Sequence, residues 1–267
     1  MTSAEFAWRI RRHAIEMTCK SNSSHIASVL SIADIVAVLY NEVMKTFPDC
    51  PNNDERDRLI LSKGHAGVAV YTALAEKGYF PLNDLKTYCS NGSLLSGHIS
   101  HIVPGVEFST GSLGHGIAVA AGMAMAAKVD GKKHHVYVII GDGECNEGSV
   151  WETALIANQF RLSNLTVIID HNKFQSLTLC EDTLELLDLS QKWESFGWSV
   201  ININGHDYNE IKTALLYRDM EKPVCIVAHT VKGKGISFME NNILWHYRPP
   251  QGDDYFNAIE ELEAMKP

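Results

Sequence analysis

The chain has 267 residues, 45% of them hydrophobic, with a formal net charge of −9. That is enough apolar material for one large core, and no Pro/Gly/Ser-rich linker, low-complexity tract or internal repeat divides it. The acidic balance and the lack of a basic stripe with interleaved aromatics exclude ordinary nucleic-acid binding.

In chain order, the patterning predicts helices over 4–19, 31–45, 66–77, 114–129, 149–161 and 207–219, and a short acidic helix over Tyr255–Met265. Short apolar runs predict strands near Leu59–Leu61, His135–Ile140, Leu165–Asp170, Trp198–Ile203 and Val224–Ala228. This alternation reads as an α/β chain, a single domain spanning 1–267, with a doubly wound, mostly parallel sheet and helices on both faces. Near the start, Trp8-Arg9-Ile10-Arg11-Arg12-His13 is basic but flanked by Glu5 and Glu16, so it reads as a solvated helix face and not a targeting peptide. Gly116–Ala127 is taken as the longest apolar stretch, too short and too alanine-rich to span a bilayer. Its small residues predict a helix packed closely between sheet and neighbours. Met239–Asp254, with two prolines and Gly252, predicts irregular cover over the sheet edge. The cysteines (Cys19, Cys50, Cys89, Cys145, Cys180, Cys225) lack metal-type spacing and read as reduced thiols in a cytoplasm. Cys225 is expected in the core, and Cys145 reads as a tolerated small side chain.

The most informative stretch is Gly141-Asp142-Gly143-Glu144-Cys145-Asn146-Glu147-Gly148, which follows an apolar strand. A helix and a second apolar strand come next, and then Asn172. One βαβ unit therefore brings Asp142 and Asn172 to the carboxyl edge of the sheet, where open α/β folds bind ligands. Magnesium and calcium take oxygen ligands. Asp142 offers a charged oxygen, Asn172 a neutral one, and a backbone carbonyl near Lys173 or Phe174 a third. One carboxylate suffices if phosphate oxygens complete the shell. Gly141 and Gly143 are expected to let the backbone turn sharply and approach the ligand.

This constellation resembles the thiamine diphosphate motif, with His171 where many members have asparagine. The wider chain, from about residue 5 to 250, resembles the diphosphate-binding domain of transketolases. The likeness is carried by Leu61-Ser62-Lys63-Gly64-His65-Ala66, Ser96-Gly97-His98, Ser109-Thr110-Gly111-Ser112-Leu113-Gly114-His115-Gly116 and His229-Thr230-Val231-Lys232-Gly233-Lys234-Gly235. His25 and His246 match by order and context.

The resemblance implies thiamine diphosphate and Mg2+, with Ca2+ or Mn2+ as substitutes. Asp142, Asn172 and the Phe174 carbonyl would hold the metal. His65, Ser112, Leu113, Gly141, Gly143, Glu144, Asn172 and His246 would surround the cofactor. His25, His65, His98 and His246 would hold substrate hydroxyls and move protons as ketose bonds break. Glu147 would sit in a subunit-interface network or proton relay linking two cofactor sites, and it also gains from the helix dipole. His13, His134 and His135 read as surface or satisfied residues.

Transketolase chains normally continue into a pyrimidine-binding domain and a third domain, whereas this sequence ends at Pro267. The expectation is therefore the N-terminal subunit of a split transketolase, moving a two-carbon ketol unit from a ketose to an aldose. It would be inactive without a partner that carries the pyrimidine-binding domain and its ring-protonating glutamate. A heterotetramer with two copies of each chain is expected, acting on phosphorylated sugars in the cytoplasm. A keto-acid dehydrogenase subunit shares the Gly-Asp-Gly and Asn pair but should lack the Ser-Lys-Gly-His and Ser-Gly-His segments. A non-catalytic degenerate half is opposed by the intact Asp142, Asn172 and His65.

Overall fold

Five runs rich in Val, Ile and Leu form the strands β1 (Arg58–Leu61), β2 (Val136–Gly141), β3 (Leu165–His171), β4 (Ser199–Asn204) and β5 (Val224–His229). They come from a computed structural model describing residues 1–267. All pairs are parallel, in the order β1-β2-β3-β5-β4. Gly141 lies beside Asp170, and His171 beside His229. The carboxyl ends of β2, β3 and β5 are thus level and form one ledge for the site.

The helices are α1 (Ser3–Ser21), α2 (Ile26–Val38), α3 (Gly67–Glu76), α4 (His115–Val129), α5 (Gly148–Gln159), α6 (Cys180–Thr183), α7 (Leu189–Ser195), α8 (Tyr208–Leu216) and α9 (Asp253–Ala264). Strand side chains alternate between two apolar cores. Tyr137, Ile139, Ile168 and Ile226 enter one, and Val138, Ile140, Val167 and Val227 the other. Residues of α1, α2, α3, α8 and α9 fill the first core, and residues of α4, α5 and α7 the second. Both faces of the sheet are covered, as an all-parallel sheet requires. Trp193, wholly buried, packs in the second core with Trp198 edge-on at 4.7 Å between ring centroids.

Local signals set the element ends. Thr2 caps α1, accepting from the Glu5 N–H while the Glu5 side chain accepts from the Thr2 N–H, a capping box. Asp207 caps α8 through the N–H groups of Asn209 and Glu210.

Two expectations need correction. Helix α2 begins at Ile26, not residue 31, and runs on through a π turn at Leu39–Val43. Every residue of Ile26–Val38 is buried, so no polar stripe marks where the helix starts. This also displaces Gly116–Ala127 as the longest apolar stretch. Ile26–Val43 is long and apolar enough to cross a bilayer by length and composition, yet 83% of it is buried inside the fold, as a core helix is. The small-residue helix α4 buries only one side, at Gly116, Ala120, Ala121, Ala124 and Ala127. Ala118, Gly122 and Ala126 are exposed.

Candidate active site

The ledge opens into a cavity of about 280 Å³. Its lining draws on segments far apart in sequence: His25 before α2, Lys63 and His65 after β1, His98 and the loop before α4, Asp142–Glu144 after β2, Asn172 and Phe174 after β3, and Lys232 with His246 beyond β5.

Asp170, at the end of β3, is fully buried and, without lining the cavity itself, anchors from beneath the residues that make its floor. It accepts from Lys63 Nζ, Ser31 Oγ, Thr230 Oγ1 and Asn172 Nδ2. Burial pushes its carboxyl up, but the Lys63 charge together with the hydrogen bonds from Lys63, Ser31 and Thr230 outweighs that and holds it below the usual carboxylate range. Asn172 is oriented by this anchor. Its Nδ2 donates to Asp170 at 2.9 Å and to Ser31 at 3.2 Å, while Oδ1 accepts the Phe174 N–H at 3.0 Å.

Asp142 has no such cation. It is 2% exposed, and its oxygens accept from the N–H groups of Gly143 at 2.8 Å and Lys173 at 2.5 Å. Neither nearby ammonium is bound to it. Lys63 pairs with Asp170, and Lys232 Nζ rests on the Gln175 carbonyl and His246 Nδ1, each at 3.0 Å. Burial, and then the Asp170 charge, push the Asp142 carboxyl up to about 6. A buried carboxylate lacking a counter-charge, next to a fixed amide oxygen, suits a hard divalent cation. No three His, Cys, Asp or Glu side chains converge on one point. A cation here would therefore complete its shell with Asn172 Oδ1, a main-chain carbonyl such as that of Phe174, and ligand oxygens.

Above the floor, four imidazoles gather. The His25 ring is 5.1 Å from His65, 5.1 Å from His246 and 5.7 Å from His98. His25 adopts φ 76, a left-handed backbone that a non-glycine residue takes at some cost. Its N–H donates to the His246 carbonyl at 2.7 Å, which holds both rings in place. Burial and the nearby positive charges lower the histidines: His25 to about 4, His246 to about 3, and His65 well below its ordinary value. These rings are uncharged at neutral pH and able to accept protons. Burial, and then Lys63, bring Lys232 down to about 8.

The structure brings His25, His65, His98, His246, Leu113, Gly141, Asp142, Gly143, Glu144, Asn172 and Phe174 to this one cavity. Two expected site residues lie outside this lining. Ser112 is exposed and outside the lining, and Glu147 is exposed at the start of α5, away from the histidines. Glu144 lines the cavity, but its carboxylate is spent within the chain, accepting from Ser62 Oγ and the N–H groups of Gly114 and Gly141. It ties the 111–114 loop to the end of β2. Nor does Gly141 or Gly143 make a left-handed turn; neither has a positive φ. A Cβ on Gly141 would meet nothing within 4 Å, whereas one on Gly143 would lie 2.7 Å from Gln175 Cγ. Gly141 leaves open space toward a ligand, and Gly143 makes room for Gln175.

Sequence reasoning did not single out Lys232, Asp170 or Tyr247 as site residues. A lysine in Val231-Lys232-Gly233 looks like surface, yet Lys232 is 1% exposed. The readable signal was the acid closing an otherwise apolar strand at Asp170, since a buried charge demands a partner.

The fold and this site define a thiamine diphosphate-binding domain. Residues 2–264 match the family model described as "Transketolase, thiamine diphosphate binding domain", and the chain belongs to the transketolase family. It is 39% identical to an apulose-4-phosphate transketolase subunit of Phocaeicola vulgatus, over 94% of this chain and 90% of that protein. It is 41% identical to a 6-deoxy-6-sulfo-D-fructose transketolase subunit of a Clostridium species, over 95% and 94%. Among solved structures, Campylobacter jejuni transketolase superposes with a TM-score of 0.92 at 34% identity. That match covers 98% of this chain and 42% of the longer one, so this chain spans less than half of a one-piece transketolase.

Proposed function

We propose that this chain is the diphosphate-binding subunit of a two-subunit transketolase, which moves a two-carbon ketol unit from a ketose to an aldose. The observation that carries the reading is the uncompensated Asp142 carboxylate facing the same cavity as four histidine rings. Two relatives that are themselves named as transketolase subunits match along nearly their whole length, which supports a separate chain that completes the enzyme. Their names, one a phosphate and one a sulfonate, support an anionic ketose as donor. The partner carries the pyrimidine-binding domain, and we propose a cytoplasmic complex of two copies of each chain.

Thiamine diphosphate, when bound, supplies the carbanion chemistry for breaking a carbon–carbon bond next to a carbonyl. Asp142, Asn172 Oδ1 and the Phe174 carbonyl would hold the divalent cation, preferably Mg2+. His65 and Lys232 would bind the diphosphate, and Leu113, next to the Gly114 that Glu144 anchors, would face the other end of the cofactor. His25, His98 and His246 bind substrate hydroxyls and move protons as the bond breaks; the lowered pKa values of His25 and His246 keep those two rings uncharged, so that they accept hydrogen bonds from the hydroxyls. Glu147 and the exposed apolar residues Leu155, Ile156 and Phe160 of the α5 region lie on the surface where a second copy packs.

Calorimetry of the two-subunit complex with thiamine diphosphate and Mg2+ tests this directly. Asp142→Ala abolishes cation-dependent binding, and Asn172→Ala weakens it less, because water replaces a neutral ligand more readily than a charged one. Unchanged cofactor affinity in Asp142→Ala would place the site elsewhere.

A further inference from the structure

The aromatic cluster around His25 has an inner and an outer pair. The inner pair is His65 and His246. His246 is 7% exposed and touches Lys232, and His65 is half-buried. Both stand beside the two buried ammonium groups at the diphosphate end. The outer pair is His98, which is exposed, and Tyr247, which is 54% exposed. Their rings lie 5.7 Å and 5.8 Å from His25. Tyr247 also lines the cavity and stands edge-on to His246 at 4.7 Å.

Tyr247 is held in place by its neighbours. Trp245 is 4% exposed and donates from Nε1 to the Phe238 carbonyl at 3.0 Å. The Arg248 guanidinium lies 5.1 Å over the Trp245 ring and pairs with Asp254 at 2.6 Å. The Arg248 N–H bonds back to the Leu244 carbonyl at 3.0 Å. Residues on both sides are therefore anchored, and the phenol is presented at the mouth of the cavity. A rigid aromatic with one hydroxyl offers an apolar ring face and a neutral donor and acceptor at little cost in side-chain freedom. Those are the needs of a polyhydroxylated carbon chain.

We propose that Tyr247 is a specificity-determining residue that reads the distal hydroxylated part of the ketose donor, beyond the bond that breaks. The inference rests on the transketolase reading of the same site. The inner rings serve the end of the substrate nearest the cofactor, and Tyr247, packed against His246 at 4.7 Å but 54% exposed where His246 is 7%, meets carbons further out that a short donor lacks.

The test uses the two-subunit enzyme with two donors. The long donor is whichever of fructose 6-phosphate and 6-deoxy-6-sulfofructose the wild-type complex uses better. The short one is hydroxypyruvate, which delivers the same two-carbon unit with loss of carbon dioxide and has no distal chain. Tyr247→Ala should raise KM for the long donor about tenfold or more, and Tyr247→Phe about threefold, the usual range for losing one hydrogen bond. The effect on hydroxypyruvate should be several-fold smaller in both variants. Equal losses with both donors, no loss with either, or a weakened complex by light scattering would overturn the role. If the wild-type complex transfers from neither donor, the functional reading itself fails, and the inference with it.

Discussion

Replacing Lys63 by methionine probes the electrostatic floor of the site. Lys63 is 3% exposed, and its ammonium pairs with a carboxylate of Asp170 that is wholly buried. Removing one member of such a pair typically costs about 3–5 kcal/mol, because the other charge stays buried without compensation. Asp170 keeps Ser31, Thr230 and Asn172 as donors, which places the expected loss near the lower end, at about 3 kcal/mol. The sign of the pH effect follows. With Lys63 present, the Asp170 carboxyl sits below its ordinary range. Without it, burial dominates and the folded-state pKa rises above the unfolded one, as Asp142 already illustrates at about 6. The penalty is then full at pH 8 and shrinks as pH falls through that raised value, by about 1.4 kcal/mol per unit at most. Urea unfolding of the wild type and Lys63→Met at pH 8 and pH 5 measures it, since titrations common to both proteins cancel in the difference. The double variant Lys63→Met/Asp170→Asn should recover most of the loss. A cost below about 1 kcal/mol at pH 8, or a larger cost at pH 5 than at pH 8, would refute the reasoning.

Cation binding requires Asp142 deprotonated, so Mg2+ affinity should be nearly flat from pH 8 to about 6 and then fall roughly tenfold per unit. Calorimetry across that range checks it, and a flat profile down to pH 5 would exclude Asp142 as the ligand. Gly64→Ala should displace the 110–114 loop, because a Cβ there would lie 2.3 Å from the Thr110 carbonyl oxygen. A stability loss of about 1–3 kcal/mol, with weaker cofactor binding, is expected; wild-type behaviour would mean the loop yields freely. Light scattering of the mixed subunits should give a mass near two copies of each chain, and a fully active one-to-one complex would contradict the shared-site assembly.

Much of this was readable from residues alone, for physical reasons. Buried parallel strands are short apolar runs, so β2, β3 and β5 stood out, and their common carboxyl edge placed Asp142 and Asn172 together. The helix α2 start was hidden because burial on all sides erases periodicity. The floor of the site was hidden for a different reason. Lys63 and Lys232 are ordinary surface residue types, and only three-dimensional pairing shows that they are buried; Asp170, an acid closing an apolar strand, was the one legible hint. Glu144 looked like a ligand because it sits in the motif, yet its oxygens hold Gly114 and Gly141. Glu147 falls outside the cavity, although Gly143 and Glu144, close by in sequence, line it. Tyr247 carried no signal, because an aromatic beside a histidine is most often packing.

The central claim is that this chain holds one half of a ketol-transfer site. The most direct test is a transfer assay on this chain, on its pyrimidine-domain partner, and on their mixture, with thiamine diphosphate and Mg2+ present throughout. The account predicts no transfer by either chain in isolation and activity in the mixture, lost again with Asp142→Ala. Turnover by the purified chain in isolation, or by the mixture carrying Asp142→Ala, would contradict it.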